Sequence, residues 1–444
     1  MSRQMHLVGH VCTGPTNHHF GSWRHPESDA HQVLDASRYE NIARLYEKGL
    51  FDGMFIVDTQ FLTDLRKDHP SEVAQWGGQI QMLDPMLVLA VAARATKHLG
   101  LAATISTTLN HAYRIARSLA TLDHLSNGRA GWNIVTSAFD QEAQNYGHDS
   151  LPDRNERYDR ADETVEACMR LWDSWAPDAL RVDRAAGVFA DPERIKYIEY
   201  EGTYVRTRGC LTTPHSPQGR PVLMQAGGSE RGLAFASRWA DCVFTLQQEQ
   251  LRMQSFYQRL KDQVISNGRS ADECVIFPAV EVIVGESEGE AQEYADYLDS
   301  LATPQMGLTI LAAIMNRDLS DVPLDIPLDQ VDVGPRGPSG VGAYENLVGK
   351  FAKSGPMPTL GEAALLGATT WWSPRLVGSA KQVADHLQEL FESRCCDGFI
   401  ITQALSPGGI ARFVELVVPQ LQARGIYRER YSGKTFRENL RSGN

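Results

Sequence analysis

Short apolar runs alternate along the chain with stretches whose apolar residues fall three and four apart, a pattern that predicts strands separated by helices. The clearest unit spans Leu99 to Tyr158. Leu99-Gly-Leu-Ala-Ala-Thr-Ile-Ser106 reads as a strand buried on both faces and ending in hydroxyls. Ile115, Leu119 and Leu122 then fall at helical spacing beside Ala116 and Ala120, and Asn127-Gly128 stops that helix because both residues tolerate a left-handed backbone. Gly128 to Ser137 is a second strand, bringing Asn133, Thr136 and Ser137 to its carboxyl end. A strand, a helix and a strand so connected make the two strands parallel.

The same unit recurs. Strands are predicted at His6–Val11, Asp52–Asp58, Pro221–Ala226, Cys242–Leu246, Val275–Gly285 and Gly398–Thr402. Helices are predicted from Asp35 to Lys48, from Asp84-Pro85 to Lys97, and from Tyr158 through Trp175. Others run from Gln250 to Asn267, Ser287 to Leu301, Gly378 to Ser393 and Ile410 to Arg424. Eight strands, none joined by a tight hairpin, predict an α/β fold, a (β/α)8 TIM barrel occupying residues 1–424. A typical barrel uses about 250 residues, so roughly 190 of the 444 belong to insertions and tail. The insertions fall at about 177–220, with a hairpin near Glu201-Gly202, and at 304–367. Residues 425–444 form a charged C-terminal tail, expected as an arm on another subunit or on the barrel's outside. A doubly wound sheet is disfavoured, since no GxGxxG follows an early strand.

Composition narrows the class. With 43 Lys+Arg against 55 Asp+Glu, the net charge of −12 speaks against nucleic acid or an anionic membrane surface as partner. No apolar run approaches a membrane span, and the start lacks a secretory core, so a cytoplasmic enzyme is expected. Seven cysteines without metal-type spacing predict neither a disulfide framework nor a structural metal.

Candidate chemistry clusters at the predicted strand ends. Gly227-Gly228-Ser229 lies between a strand and a helix N-terminus, where free amides and the helix dipole suit a phosphate; a plain glycine turn capped by Ser229 is the alternative. Asp58 ends its strand in a carboxylate, either binding a ligand or capping the next loop. Thr104, Ser106, Asn133 and Thr136 could hydrogen-bond a flat polar cofactor or satisfy the backbone locally. The loop from Cys12 to Pro26 holds His18, His19 and His25, whose spacing does not suit a metal but leaves one free for proton transfer. Trp371-Trp372 is either a pocket wall or barrel packing. No GxSxG elbow is present.

Longer motifs carry a family resemblance. Ala102-Ala-Thr-Ile-Ser-Thr-Thr, His124-Leu-Ser-Asn-Gly-Arg-Ala-Gly-Trp-Asn-Ile-Val-Thr-Ser, Glu142-Ala-Gln-Asn-Tyr-Gly, Arg157-Tyr-Asp-Arg-Ala-Asp-Glu and Leu171-Trp-Asp-Ser-Trp resemble the bacterial luciferase-like superfamily. Within it the chain is similar to the two-component, FMNH2-dependent monooxygenases acting on nitrilotriacetate, dibenzothiophene sulfone and long-chain alkanes. The resemblance implies flavin contacts at Asp58, Thr104, Tyr158 and Ser229, with Asn133 close by and the Gly228-Ser229-Glu230 backbone on the phosphate. Where the family has a histidine four residues before the tyrosine, this chain has Arg154, which could pair with that phosphate but not replace an acid–base imidazole.

The activity so implied uses reduced FMN from a separate NAD(P)H-dependent flavin reductase, and O2, to oxygenate a small organic substrate through a flavin peroxide. His18 is the candidate for protonating or stabilising the reacting oxygen, and the Pro323–Pro358 segment the candidate lid. A homodimer or homotetramer is expected. An aromatic or heterocyclic substrate is favoured over a polycarboxylate, because no Arg/Lys cluster marks the lid or first loop. Alternatives are a deazaflavin-dependent oxidoreductase of the same superfamily, a non-catalytic flavin-binding protein, and a generic barrel binding a sugar phosphate at Ser229.

Overall fold

In the computed structural model, the described residues are 3–63, 69, 71–78, 80–247, 249–332 and 340–442. Eight strands build the barrel: β1 His6–Val11, β2 Gly53–Ile56, β3 Gly100–Ser106, β4 Ala130–Val135, β5 Val222–Ala226, β6 Cys242–Thr245, β7 Val275–Gly285 and β8 Gly398–Gln403. Each pairs in parallel with the next, and β8 pairs with β1, closing the ring. The predicted TIM barrel is the observed fold. A further short strand, Arg375–Ser379, lies beside the upper half of β7, from Glu281 to Gly285. Sequence periodicity missed it because five residues ending in a helix cap leave too little alternation to read.

Alternation along the strands sorts the side chains. Val8, Phe55, Ala102, Val222, Met224, Cys242, Phe277, Ala279 and Ile400 fill the barrel interior. Leu7, Met54, Ile56, Leu101 and Ala103 point outward against Tyr39, Ile42, Tyr46 and Leu89 of the surrounding helices. Each large apolar side chain so buried stabilises the fold by roughly 1.5–3 kcal/mol relative to exposure. Two residues beyond Val8, Ala102, Gly131 and Ile400, the inward series arrives at His10, Thr104, Asn133 and Thr402. The barrel's apolar stack therefore ends in a polar layer at the carboxyl ends of the strands.

The other end is closed by the tail, which is not the outer arm expected. Phe436 and Leu440 join the interior cluster, and the Phe436 ring fills the space where Gly53, Gly100 and Gly131 lack side chains. Arg428 reaches Asp52 at 2.5 Å, Asp52 meets His6 Nδ1 at 3.0 Å, and the Tyr427 hydroxyl donates to the Leu50 carbonyl at 2.7 Å. A segment carrying an unburied phenylalanine and leucine gains more by plugging the open floor than by lying on a charged exterior.

The 304–367 insertion also departs from expectation. Its described residues form helices Pro304–Met315, Gly340–Ser354 and Leu360–Thr370, which share a separate apolar core, so Pro323–Pro358 is not a structureless lid. Residues 333–339 of that segment lie outside the described residues. Gly307 lets two of these helices approach closely: a Cβ there would fall 1.8 Å from the Ala364 carbonyl oxygen. The helix expected from Tyr158 to Trp175 spans Arg154–Trp172 instead: it starts early because Asp153 caps it by accepting the Asn155 amide at 2.8 Å, and Asp173 ends it. Among the described residues no single helix is long and apolar enough to cross a membrane.

Candidate functional site

A cavity of about 330 Å³ opens above the polar layer. Phe55, Val57, Val135, Phe139, Phe244, Ile400 and Trp371 supply its apolar walls, and His10, His18, Asp58, Thr104, Asn133 and Thr402 its polar groups. Each polar group arrives by one of two routes. Strand alternation delivers His10, Thr104, Asn133 and Thr402, while Asp58 and His18 come from loops that follow β2 and β1.

Thr104 and Asn133, neighbours in register on β3 and β4, act as a pair. Asn133 Nδ2 donates to Thr104 Oγ1 at 2.9 Å, and Thr104 Oγ1 donates to the Ile56 carbonyl at 2.7 Å. That leaves Asn133 Oδ1 buried without a hydrogen-bond partner among the described residues, as are Thr402 Oγ1, His10 Nδ1 and His18 Nδ1. Buried polar atoms are rarely left unsatisfied, so four around one cavity mark a place for a polar ligand.

His18 and His10 face one another with ring centroids 4.6 Å apart, and His18 stacks at 26° on Trp371. Burial pushes the His18 imidazole down to about 4 and lowers His10 as well, so both are neutral near pH 7. Asp58 sits where this cavity meets two side recesses. Burial, followed by the nearby carboxylates Asp84 and Glu142, raises it to about 6, against a hydrogen bond donated by Gln60 Nε2 at 2.7 Å.

Across the mouth, β5 leads through Gly227-Gly228-Ser229 into the helix Glu230–Trp239. Ser229 caps it, accepting the Gly232 amide at 3.1 Å. A Cβ on Gly232 would lie 3.0 Å from the Tyr158 hydroxyl and 3.1 Å from Ser229 Oγ, so these two hydroxyls converge on one spot. Beside them is a recess of about 830 Å³ whose lining includes Gly228, Ser229, the cations Arg154, Arg252, Lys350 and Lys353, and the carboxylates of Glu249 and Glu345.

Asp58, Thr104, Asn133, Tyr158, Gly228, Ser229, Arg154 and His18 therefore stand around one continuous mouth, since the cavities share Ala226. Glu230 is different: its side chain is exposed and does not line the recess, leaving only its amide at the helix's open end. Sequence reasoning gave no role to His10, Thr402 or Phe244, all of which counting by twos from the inward core positions would have reached. It also missed Arg252, Lys350 and Lys353. The absence of an Arg/Lys cluster near the insertion, expected from linear spacing, is corrected here: three separate segments bring four cations together. Of the tryptophan pair, Trp371 lines the cavity, whereas Trp372 packs into the insertion's core.

This arrangement has close counterparts. The chain is 41% identical over 441 residues to dibenzothiophene-sulfone monooxygenase of Rhodococcus erythropolis (strain XP), covering 99% of this chain and 96% of that one. It is 35% identical to nitrilotriacetate monooxygenase component A of Aminobacter aminovorans, covering 95% and 93%. Its fold superposes on a crystal structure of riboflavin lyase with modified FMN and riboflavin at a TM-score of 0.87, with 30% identity and coverage of 99% and 96%. The sequence profile of the luciferase-like monooxygenases matches residues 16–397, and the chain, a monooxygenase, belongs to that family.

Proposed function

We propose that this chain is the oxygenase component of a two-component system that takes reduced FMN from a separate NAD(P)H-dependent reductase. The reading rests above all on four partnerless buried polar atoms in an apolar-walled cavity that is continuous with a cation-lined recess at a helix N-terminus. A flat heteroaromatic ring with N–H and C=O edges fits the first part, and a phosphoryl group the second. The relative named as a component A and the fold relative holding modified FMN support the same assignment.

Reduced FMN, when bound, supplies the electrons for activating dioxygen, one atom of which enters the substrate while the other leaves as water. Asn133 Oδ1, held by Thr104, accepts a ring N–H. Ser229 Oγ, the Gly228–Glu230 amides and the Arg154 guanidinium would hold the phosphate, with the Tyr158 hydroxyl converging beside Ser229 from the adjoining cavity. Phe55, Phe244, Ile400 and Trp371 keep water away from the reacting atoms. His18, neutral and unpartnered at Nδ1, holds or moves a proton at the reacting oxygen.

The aromatic walls and the carboxyl groups of Asp58 and Glu142 at the rim favour an apolar aromatic or heterocyclic substrate over a polycarboxylate. The four cations lie on the phosphate side and serve that group instead. The test combines the protein with a flavin reductase, NADH, FMN and 18O-labelled dioxygen, and offers aryl sulfones, amino-polycarboxylates, alkanes and halogenated aromatics. Incorporation of label into an aromatic substrate, dependent on FMN and not replaced by a deazaflavin, is the expected result. Turnover of polycarboxylates alone, or no binding of reduced FMN, would sink the reading.

A further inference from the structure

Of the four cations lining the recess, Arg154, Arg252 and Lys353 are exposed, and Arg252 is already paired with Glu249 at 2.9 Å. Lys350 is set deeper, on the insertion's Gly340–Ser354 helix. Its Nζ donates to the Trp372 carbonyl, and burial pushes its amine down to about 8.

That carbonyl belongs to an unusual turn. Trp371 and Trp372 both have φ of 52°, a left-handed backbone that bulky side chains seldom adopt. Such a conformation persists only where surrounding contacts hold it. Here the Trp371 amide donates to the Gly367 carbonyl at 2.9 Å, and Trp372 Nε1 donates to the Ala363 carbonyl at 2.9 Å. Lys350 provides a third hold. The first tryptophan of the turn walls the cavity and stacks on His18.

One side chain thus touches both parts of the mouth. We infer that Lys350 is the insertion's contact to the phosphoryl group and, through the Trp372 carbonyl, a positioning residue that sets Trp371 against His18 when the recess is filled. The inference rests on the reduced-FMN reading and adds to it a residue that selects for the phosphoryl group. It also assigns the 304–367 insertion a role: reporting occupancy of the recess to the cavity.

FMN and riboflavin share a ring and differ in the phosphoryl group, so the pair isolates the contact. Dissociation constants for both are measured on the wild-type protein, K350M and K350R, each first shown to be folded by circular dichroism. Loss of a charge-assisted hydrogen bond predicts that K350M weakens FMN about tenfold more than it weakens riboflavin, which feels only the loss of the turn's third hold. K350R should keep most of the preference. Tryptophan emission provides a second readout: inorganic phosphate alone should shift it in the wild-type protein, and the shift should vanish in K350M and in W371F. An unchanged FMN-to-riboflavin ratio in K350M, or equal weakening of both flavins, overturns the assignment. If the wild-type protein binds neither flavin, the FMN reading fails by itself. The phosphate-induced emission shift then decides Lys350 separately: its loss in K350M upholds the contact, and its survival, or its absence from the wild-type protein, refutes it.

Discussion

Asn133 Nδ2 and Thr104 Oγ1, on adjacent strands, lie 2.9 Å apart, and this bond fixes which way the Asn133 amide points. The Thr104 hydroxyl has its own proton committed to the Ile56 carbonyl, so it can only accept from Asn133. The amide nitrogen is thereby committed to Thr104, and the amide oxygen is left without a partner among the described residues beside the cavity. Thr104 thus orients the Asn133 amide.

Removing that orientation should be measurable. T104V keeps the shape of the side chain but deletes the acceptor, leaving the Asn133 amide free to flip. A lost hydrogen bond of about 1 kcal/mol predicts FMN binding weaker by roughly fivefold, with little change in folding. Fluorescence titration checks it, and an unchanged affinity would show that Asn133 does not need its neighbour.

His18 offers a different kind of test. Because burial holds its imidazole near 4, the ring is neutral throughout the physiological range. Turnover should show no acid limb from His18 between pH 5 and 8. H18N, which keeps a polar group of similar reach but cannot exchange a proton, should lower kcat at least about tenfold while KM changes little. An equal effect on KM would make His18 a binding group instead.

The floor of the barrel yields a stability prediction. The Phe436 ring replaces the side chains that Gly53, Gly100 and Gly131 lack, and a Cβ on Gly100 would sit 2.4 Å from it. F436A should therefore destabilise the fold by about 3–5 kcal/mol, read as a lower denaturant midpoint. G100A should also destabilise, since the ring cannot yield without leaving the barrel. Stability unaffected by removal of residues 429–444 would show that the plug is dispensable.

Much of this molecule could be read along the chain, and the reasons for the rest are physical. Strands buried on both faces announce themselves as continuous apolar runs, so the eight barrel strands were legible. So was the place where Ser229 meets a helix N-terminus, because glycines and a capping hydroxyl have a local signature. The tail was misread because a lone Phe436 among charges has no periodicity; only the glycines it fills, more than 300 residues earlier, explain it. Lys350 was invisible for a similar reason. Its proximity to Arg154 and Ser229 is created by the packing of the insertion, not by spacing. The polar layer of His10 and Thr402 was legible in principle, since alternation from Val8 and Ile400 leads straight to both.

Asp58 provides a prediction whose sign is fixed by linkage. Its carboxyl has an ordinary value of 3.8 and is raised to about 6 in the folded protein, first by burial and then by Asp84 and Glu142. The folded state therefore binds the proton more tightly than the unfolded state. Stability falls as pH rises from about 4 to about 6, and above that the ionised carboxylate carries a constant penalty. D58N removes the charge, so it should stabilise the ligand-free protein above pH 6 by roughly 1–2 kcal/mol after allowance for solvent screening, and by almost nothing below pH 4. Ligand binding should run the other way. If the carboxylate accepts a ring N–H, FMN affinity in the wild-type protein rises with pH and levels off above about 6, whereas D58N binds more weakly and without that slope. Thermal unfolding and FMN titration at pH 5 and pH 8 measure both limbs on the same two proteins. A D58N protein that is more stable at pH 8 yet binds FMN as tightly as the wild type would keep the buried-charge account and remove Asp58 from the cofactor's contacts.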